Sequence, residues 1–122
     1  MIFALLGIIL GIILGFYIPV SYSPVYSLYV SVAILACIDS VIGGTKAKLN
    51  NEFDDLIFIS GFVTNTILAI FLSYSGEKLG VPLYYGAIIT FSWRMFQNTA
   101  IIRRYIIQKF ETRNLQRGRI DE

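Results

Sequence analysis

Two ionisable residues in this sequence lie inside long apolar runs. Asp39 lies in the stretch ACIDSVIGGTKAKL, and Arg94 lies in FSWRMFQNTAIIRR. An ionisable side chain inside a membrane segment is costly, so it needs a partner or a function. Counted at about 1.5 Å per residue along antiparallel helices, Asp39 lies roughly 22 Å and Arg94 roughly 17 Å from the same membrane face. The sequence therefore predicts that the two charges meet.

Other polar residues fall at overlapping depths and extend this pair into a predicted intramembrane polar layer. Two interpretations of the layer stay open. In one, the opposite charges neutralise each other and fix which helices are neighbours. In the other, the layer faces water or a partner and carries an ion, a proton or a binding contact. The predicted layer consists of Asp39, Ser60, Thr64, Asn65, Arg94, Gln97 and Asn98.

The residue types that most catalytic and metal sites require are scarce. The chain has no histidine and a single cysteine, Cys37. These counts remove the commonest general base and exclude a disulfide framework or a multi-cysteine zinc site within one chain. The sequence also contains no nucleophile elbow and no phosphate-binding glycine–lysine loop. We therefore expect no enzymatic activity, no cofactor and no metal site.

The composition indicates a membrane protein. Hydrophobic residues make up 56% of the 122 residues and charged residues 15%, whereas a soluble domain is about one-quarter charged. The apolar runs predict an all-α integral membrane protein, an antiparallel bundle of four transmembrane helices. Pro19 and an uncharged connector end the first helix. The predicted helices are 2–18, 25–48, 55–75 and 82–110, in one domain at 1–110, and residues 111–122 form a weakly ordered, basic and polar cytoplasmic tail.

Glycines mark two places where helices could approach closely. Gly7, Gly11 and Gly15 recur every four residues, so they form one smooth face on helix one. Such a face suits packing against helix two or a homo-oligomer. The pair Gly43–Gly44 ends helix two, kinks it or admits a neighbouring backbone, and the sequence leaves these three options open.

Basic residues lie almost entirely on one predicted side of the membrane. Only Lys78 lies on the opposite side, so the positive-inside rule places both termini in the cytoplasm. The basic residues nearest the membrane are predicted to anchor at lipid headgroups, or to dock anionic lipid or an acidic protein. Nothing in the sequence suggests nucleic-acid binding. The predicted basic anchor consists of Lys46, Lys48, Arg103, Arg104 and Lys109, and Arg113, Arg117 and Arg119 follow on the same side.

Three blocks of this sequence resemble the small basic protein family of bacterial membrane proteins, a domain of unknown function. The blocks are IDSVIGGTKAKL, FISGFVTN and LGVPLYYGAIITFSWRMFQNTAIIRR, and the resemblance covers residues 6–107. It implies a multi-pass protein of the cytoplasmic (inner) membrane of a Gram-positive-type bacterium. Because members are commonly encoded beside cell-division and cell-wall genes, it also implies a role near the division machinery. The matching positions are Asp39, Gly43, Gly44, Ala47, Ser60, Gly61, Phe62, Asn65, Arg94, Gln97, Asn98, Arg103 and Arg104.

Two classes of function remain. The first is a scaffold or interaction partner in bacterial cell division or envelope assembly, which contacts the lipid bilayer and a membrane or cytoplasmic protein. The second is a small channel or transporter that uses the Asp39/Arg94 layer. Four helices leave little room for a water-filled path within one chain, so the second class requires an oligomer. Water at the polar layer would favour transport, and a dry, fully paired layer would favour the scaffold.

Overall fold

The computed structural model describes residues 2–18 and 23–121, and every regular element within these ranges is an α-helix. The predicted all-α class is therefore confirmed. Residues 19–22 of the predicted connector, among them Pro19, lie outside the described residues. The helices are α1 (Ile2–Tyr17), α2 (Pro24–Leu49), α3 (Asp55–Leu79) and α4 (Tyr84–Ile120).

Two helices are long and apolar enough to cross a membrane, judged by length and composition. The segments are Tyr26–Leu49 in α2 and Asp55–Leu79 in α3. A helix of 25 residues, the length of α3, is roughly 37 Å long, which exceeds the hydrocarbon core of about 30 Å. The segment Leu5–Tyr17 of α1 is a shorter apolar helix. The described residues thus contain two candidate spans, whereas the sequence predicted four.

Capping residues determine where α2 and α3 begin and end. The Ser23 hydroxyl accepts a hydrogen bond from the Tyr26 amide, and the Asp54 carboxylate accepts one from the Ile57 amide at 2.9 Å. Each satisfies an amide that the first helical turn leaves free. Gly80 ends α3 in the left-handed conformation, with φ of 68°, a common helix stop. Helix α3 therefore continues to Leu79, four residues beyond its predicted end.

Helices α2, α3 and α4 pack together through small residues. One alanine on each helix is buried: Ala36 in α2, Ala69 in α3 and Ala87 in α4. Small side chains let helix backbones approach closely, as membrane bundles require. The other buried positions are Val32, Asp39, Ser40, Gly44, Ser73, Gly76 and Phe91. The interior of this bundle therefore consists mainly of small residues and one carboxylate.

Helix α1 lies apart from this bundle. Its described side chains are almost all exposed. A Cβ atom added at Gly7, Gly11 or Gly15 would have no neighbouring atom within 4 Å. The structure thus leaves the glycine face open and does not pack it against α2, one of the two partners considered from the sequence.

Helix α4 is longer than predicted. The sequence predicted a helix ending near residue 110 and a weakly ordered tail, but α4 continues to Ile120. The tail ETRNLQRGRI contains no proline and several good helix formers, among them Glu111, Leu115 and Gln116. Adding a residue to an existing helix costs far less than nucleating a new one. The prediction of a weakly ordered tail, which relied on composition alone, is therefore wrong for residues 111–120.

Gly76 provides a test of the α3–α4 turn. A Cβ atom at this position would overlap the backbone carbonyl of Val81 and lie 2.9 Å from the Leu83 nitrogen. We expect Gly76→Ala to lower the free energy of unfolding by about 1–3 kcal/mol, since backbone cannot move aside cheaply. Thermal unfolding in detergent, followed by circular dichroism, measures this loss.

Gly86→Ala is the matched control, because a Cβ atom at Gly86 meets nothing within 4 Å. It should leave stability unchanged or raise it by about 0.5 kcal/mol through helix propensity. Equal stability of the two variants would show that the α3–α4 turn is packed differently.

Candidate functional site

The structure brings Asp39 and Arg94 together between α2 and α4. One guanidinium nitrogen of Arg94, Nη2, lies 3.4 Å from Oδ2 of Asp39. The Asp39 side chain has no exposed surface, whereas 42% of the Arg94 side chain is exposed. The two charges therefore differ in environment: the carboxylate is enclosed by the bundle, and the guanidinium reaches an open space.

This ion pair leaves hydrogen-bonding capacity unused. Neither carboxylate oxygen of Asp39 accepts a hydrogen bond from the described residues. At 3.4 Å the contact with Arg94 is long for a hydrogen bond, so it is mainly an electrostatic contact. A buried pair offsets its desolvation cost only when further hydrogen bonds satisfy its remaining donors and acceptors. Asp39 is therefore held by charge more than by hydrogen bonding.

The open space beside Arg94 is a groove of about 430 Å³ formed by α2, α3 and α4 together with the α2–α3 connection. The end of the groove farthest along the helices from the α2–α3 connection, which we call the deep end, includes Ser40, Asn65, Arg94 and Asn98. The remaining lining residues are apolar or small on the helices and charged near the connection: Gly43, Gly44, Lys46, Ala47, Glu52, Phe53, Asp54, Ile57, Phe58, Gly61 and Phe62. We call this space the polar groove.

The pair Gly43–Gly44 forms the floor of the polar groove. Helix α2 continues through both glycines to Leu49 without a break. A Cβ atom at Gly43 would lie 3.6 Å from the Asn98 amide nitrogen, and one at Gly44 would lie 2.8 Å from the Phe58 ring. Of the three options left open by the sequence, termination of the helix at this pair is thus excluded, and the atoms that lie over it belong to side chains of α4 and α3, not to backbone.

Several side chains in the groove carry donors that find no partner among the described residues. Within the described chain, side-chain hydrogen bonds are formed by other residues and leave Asn65, Arg94 and Asn98 without one. Arg94 carries five N–H donors in a fixed planar fork, and each amide carries two. The groove is therefore rich in donors that are free to bind an oxygen-bearing group.

Not all of the predicted polar layer lines the groove. Ser60, Thr64 and Gln97 are exposed on their helices and are not among the groove residues. Ser60 donates a hydrogen bond to the Ile57 carbonyl at 3.2 Å. Asn65 and Asn98, in contrast, line the groove. The structure thus places Asp39, Asn65, Arg94 and Asn98 at or beside one site and leaves the other three outside it.

The basic anchor residues occupy different surroundings. Lys46 lines the polar groove. Lys109 borders a second, smaller groove of about 240 Å³ between the end of α2 and the extension of α4, beside Leu49 and Phe110. Lys48, Arg103 and Arg104 are exposed. Only one of the five predicted anchors therefore belongs to the main site.

Sequence reasoning named Asn65 as a site residue but missed the other groove residues of α3, among them Phe58, Gly61 and Phe62. Phe58, Gly61, Phe62 and Asn65 follow one another at spacings of three, one and three residues, which places them on one helical face. This face continues into the buried residues Ala69, Ser73 and Gly76. Their periodicity was the signal that could have identified them.

A hydrogen bond connects the beginning of α2 to the end of α3. The Tyr29 hydroxyl donates to a carboxylate oxygen of Glu77 at 2.8 Å. This contact and the Asp39–Arg94 pair lie at different heights of α2, so one connects α2 to α3 and the other connects α2 to α4. Together they limit sliding of the helices along one another.

Comparison with known proteins identifies relatives of this chain. Residues 18–107 match the family described as "Protein of unknown function (DUF1290)". The "Small basic protein" of Bacillus subtilis (strain 168) is 48% identical over 85 residues, which cover 70% of each chain. Uncharacterized proteins of Mycobacterium bovis and Mycobacterium tuberculosis are 38% identical over 78 residues, covering 62% of this chain and 64% of theirs. No solved structure matches the chain.

The unequal burial of the ion pair gives a test by mutation. We expect Arg94→Ala to reduce stability by about 3–5 kcal/mol, because it leaves the enclosed Asp39 without a counter-charge. Asp39→Ala should cost less, since the groove can hydrate Arg94. The double variant Asp39→Ala/Arg94→Ala should be more stable than either single variant. Denaturation in detergent at neutral pH measures all three.

A double variant that loses as much as the sum of the single losses would contradict this interpretation of the pair, because independent residues add. Thr64→Ala serves as the control, since Thr64 lies at a similar depth but outside the groove.

Proposed function

The chain belongs to the family of proteins of unknown function described as DUF1290. We propose that it is an integral membrane protein that acts as a scaffold or interaction partner. The match to the "Small basic protein" confirms the family resemblance seen in the sequence. The family supplies no biochemical activity. The proposal therefore rests on the physical character of the chain.

One observation carries the membrane proposal: large apolar side chains are outside and small or charged ones are inside. Leu56 is 77% exposed, Phe96 78% and Ile89 67%, while Asp39 is fully buried. In water, such a continuous apolar surface would drive aggregation or association. In a bilayer it is the expected surface, since lipid chains are as apolar as leucine and helices associate through small residues.

The proposed topology has four spans and both termini in the cytoplasm. Helices α2 and α3 are candidate spans by length and composition. In this proposal α1 and the first part of α4 cross as well, although α1 is short, with 16 residues, where about 17 to 25 are usual. The excess of basic residues after α2 and along the end of α4 supports this orientation in a bacterial inner membrane.

Two surfaces support a role in binding other proteins. The glycine face of α1 is open in the single chain, so it can accept a helix of a partner or of a second copy. The extension of α4 is exposed and carries Arg113, Arg117 and Arg119, so it can contact an acidic cytoplasmic protein or anionic lipid. The context of cell division or envelope assembly comes from the family resemblance alone.

A second candidate, an oligomeric channel or transporter, is favoured by the exposure of Arg94 within an open groove. Asp39 behind it has no exposed surface, so in a single chain the groove stops at the ion pair. A transport pathway would require another copy to complete it. Liposome flux assays on the purified protein would separate this candidate from the scaffold.

Cysteine labelling tests the proposed topology. In a Cys37→Ala background, Val81→Cys in the α3–α4 turn should react with a membrane-impermeant maleimide added to intact cells. Asn50→Cys in the α2–α3 connection should react only after the membrane is permeabilised. Both proteins should resist extraction by alkaline carbonate. Extraction by carbonate, or the reverse labelling pattern, would contradict the topology.

A bulky residue on α1 tests the interaction surface. Gly11→Leu should leave the α2–α4 bundle intact, since no atom lies near Gly11, but should reduce association with partners by about tenfold or more through steric obstruction. Cross-linking in native membranes, followed by mass spectrometry, measures association with protein partners and with a second copy.

Ile9→Phe enlarges a side chain on nearly the opposite side of α1 and is the control for added bulk away from the glycine face. If Gly11→Leu and Ile9→Phe leave the cross-linked products equally unchanged, the glycine face is not the interaction surface.

A further inference from the structure

We propose that the polar groove binds the phosphate of a lipid headgroup from the cytoplasmic leaflet. This inference deepens the proposed function and rests on membrane embedding. Buried or lipid-facing polar groups without hydrogen-bond partners are costly in a bilayer. The groove contains Asn65, Arg94 and Asn98, whose side chains form no hydrogen bond within the described chain, so in a membrane it requires water or a ligand to satisfy them.

The donors at the deep end of the groove suit an anion with several oxygens. One guanidinium nitrogen of Arg94 lies beside Asp39, and 42% of the Arg94 side chain is exposed. Asn65 and Asn98 line the same space. Arginine forks bind phosphate oxygens in pairs, and the amides add neutral donors. A groove of about 430 Å³ is larger than a single carboxylate needs and leaves room for a phosphate with its glycerol.

Arg94, Lys46 and Asp39 together carry one net positive charge, which one bound phosphodiester would balance, while two further carboxylates, Glu52 and Asp54, lie toward the α2–α3 connection. Arg94 and Lys46 supply two positive charges, and Asp39 supplies one negative charge beside Arg94. A phosphodiester adds one more negative charge. Asp54 caps the start of α3 by accepting the Ile57 amide, so its charge interacts favourably with the positive end of that helix. Glu52 lies at the connection, near the mouth, where solvent screens it.

The walls of the groove favour a lipid over a soluble phosphate. Its α3 wall carries Ile57, Phe58 and Phe62, next to the polar deep end. Ile57 is 71% exposed, so this apolar wall continues onto the outer surface of the bundle. A molecule with a phosphate joined to acyl chains would contact both the polar end and the apolar wall. A soluble phosphate would leave the apolar wall unused.

Depth along the helices agrees with a site in the cytoplasmic half of the membrane. Asn65 lies ten residues after the first residue of α3, or roughly 15 Å along that helix. Lys46 lies within four residues of the end of α2. The groove therefore extends from the α2–α3 connection to about the middle of the bilayer, and its mouth lies near the lipid headgroups.

Native mass spectrometry of the purified, delipidated full-length protein tests this inference. The probes are dioleoyl phosphatidylglycerol, dioleoyl glycerol without phosphate, and glycerol 3-phosphate without acyl chains. We expect the phospholipid to bind about tenfold more tightly than the other two, since charge-assisted hydrogen bonds and apolar contacts are both needed.

Two variants of the site and one control decide the outcome. Asp39→Asn/Arg94→Gln removes both charges together, and Asn65→Ala/Asn98→Ala removes the neutral donors but keeps the ion pair. Each should weaken phospholipid binding about tenfold or more, the loss expected for charged or paired hydrogen bonds. Arg103→Gln/Arg104→Gln changes exposed basic residues outside the groove and should leave binding unchanged.

Four results would overturn the inference. Unchanged phospholipid binding in both folded site variants would show that the groove is not the binding site. Equal binding of dioleoyl glycerol would remove the role of phosphate, and equal binding of glycerol 3-phosphate would indicate a soluble ligand. Loss of binding in the Arg103/Arg104 control would assign the lipid to the basic surface. Carbonate extraction tests membrane embedding separately. A failure of the lipid-binding inference can therefore be distinguished from a failure of the proposed membrane location.

Discussion

The central constraint on this structure is the burial of the Asp39 carboxylate between helices whose other buried residues are mainly small. A buried charge forces the helices that carry it and its partner to lie at one relative height, because separating the charges in a low-dielectric interior is costly. Asp39 and Arg94 therefore determine how α2 and α4 are aligned. The Tyr29–Glu77 hydrogen bond has the corresponding role between α2 and α3. The alanine, serine and glycine residues around these contacts let the helices approach closely but do not determine their relative heights.

The same constraint explains why the polar groove exists. Arg94 is long enough for its guanidinium to reach Asp39 and remain 42% exposed. A side chain that is half enclosed and half open needs a polar space beside it, and Gly43 and Gly61 keep that space free of side-chain bulk. The structural and functional interpretations of the ion pair are therefore compatible. One face of Arg94 holds the helices together, and its other face is available to a ligand.

Much of this arrangement could be predicted from the sequence, and the exceptions have physical causes. The pairing of Asp39 with Arg94 followed from depth and charge. Depth does not determine which side of a helix a residue occupies, however, and Thr64 and Gln97 each precede a groove residue by one position. One position is a rotation of about 100°, enough to turn a side chain out of the groove. The role of Gly43 and Gly44 could not be predicted, because it depends on which residues of α3 and α4 lie over them.

We expect the outer surface of α2–α4 to face lipid and the polar groove to admit water or a headgroup. Spin labels in reconstituted protein test this claim directly, at Ile89→Cys on the outer surface and Gly61→Cys in the groove, where a Cβ meets nothing within 4 Å. Molecular oxygen should relax the label at residue 89 more strongly than the label at residue 61, and a water-soluble nickel complex should relax the label at residue 61 more strongly than the label at residue 89. Strong relaxation of both labels by the nickel complex would contradict this claim, because the outer surface would then face water.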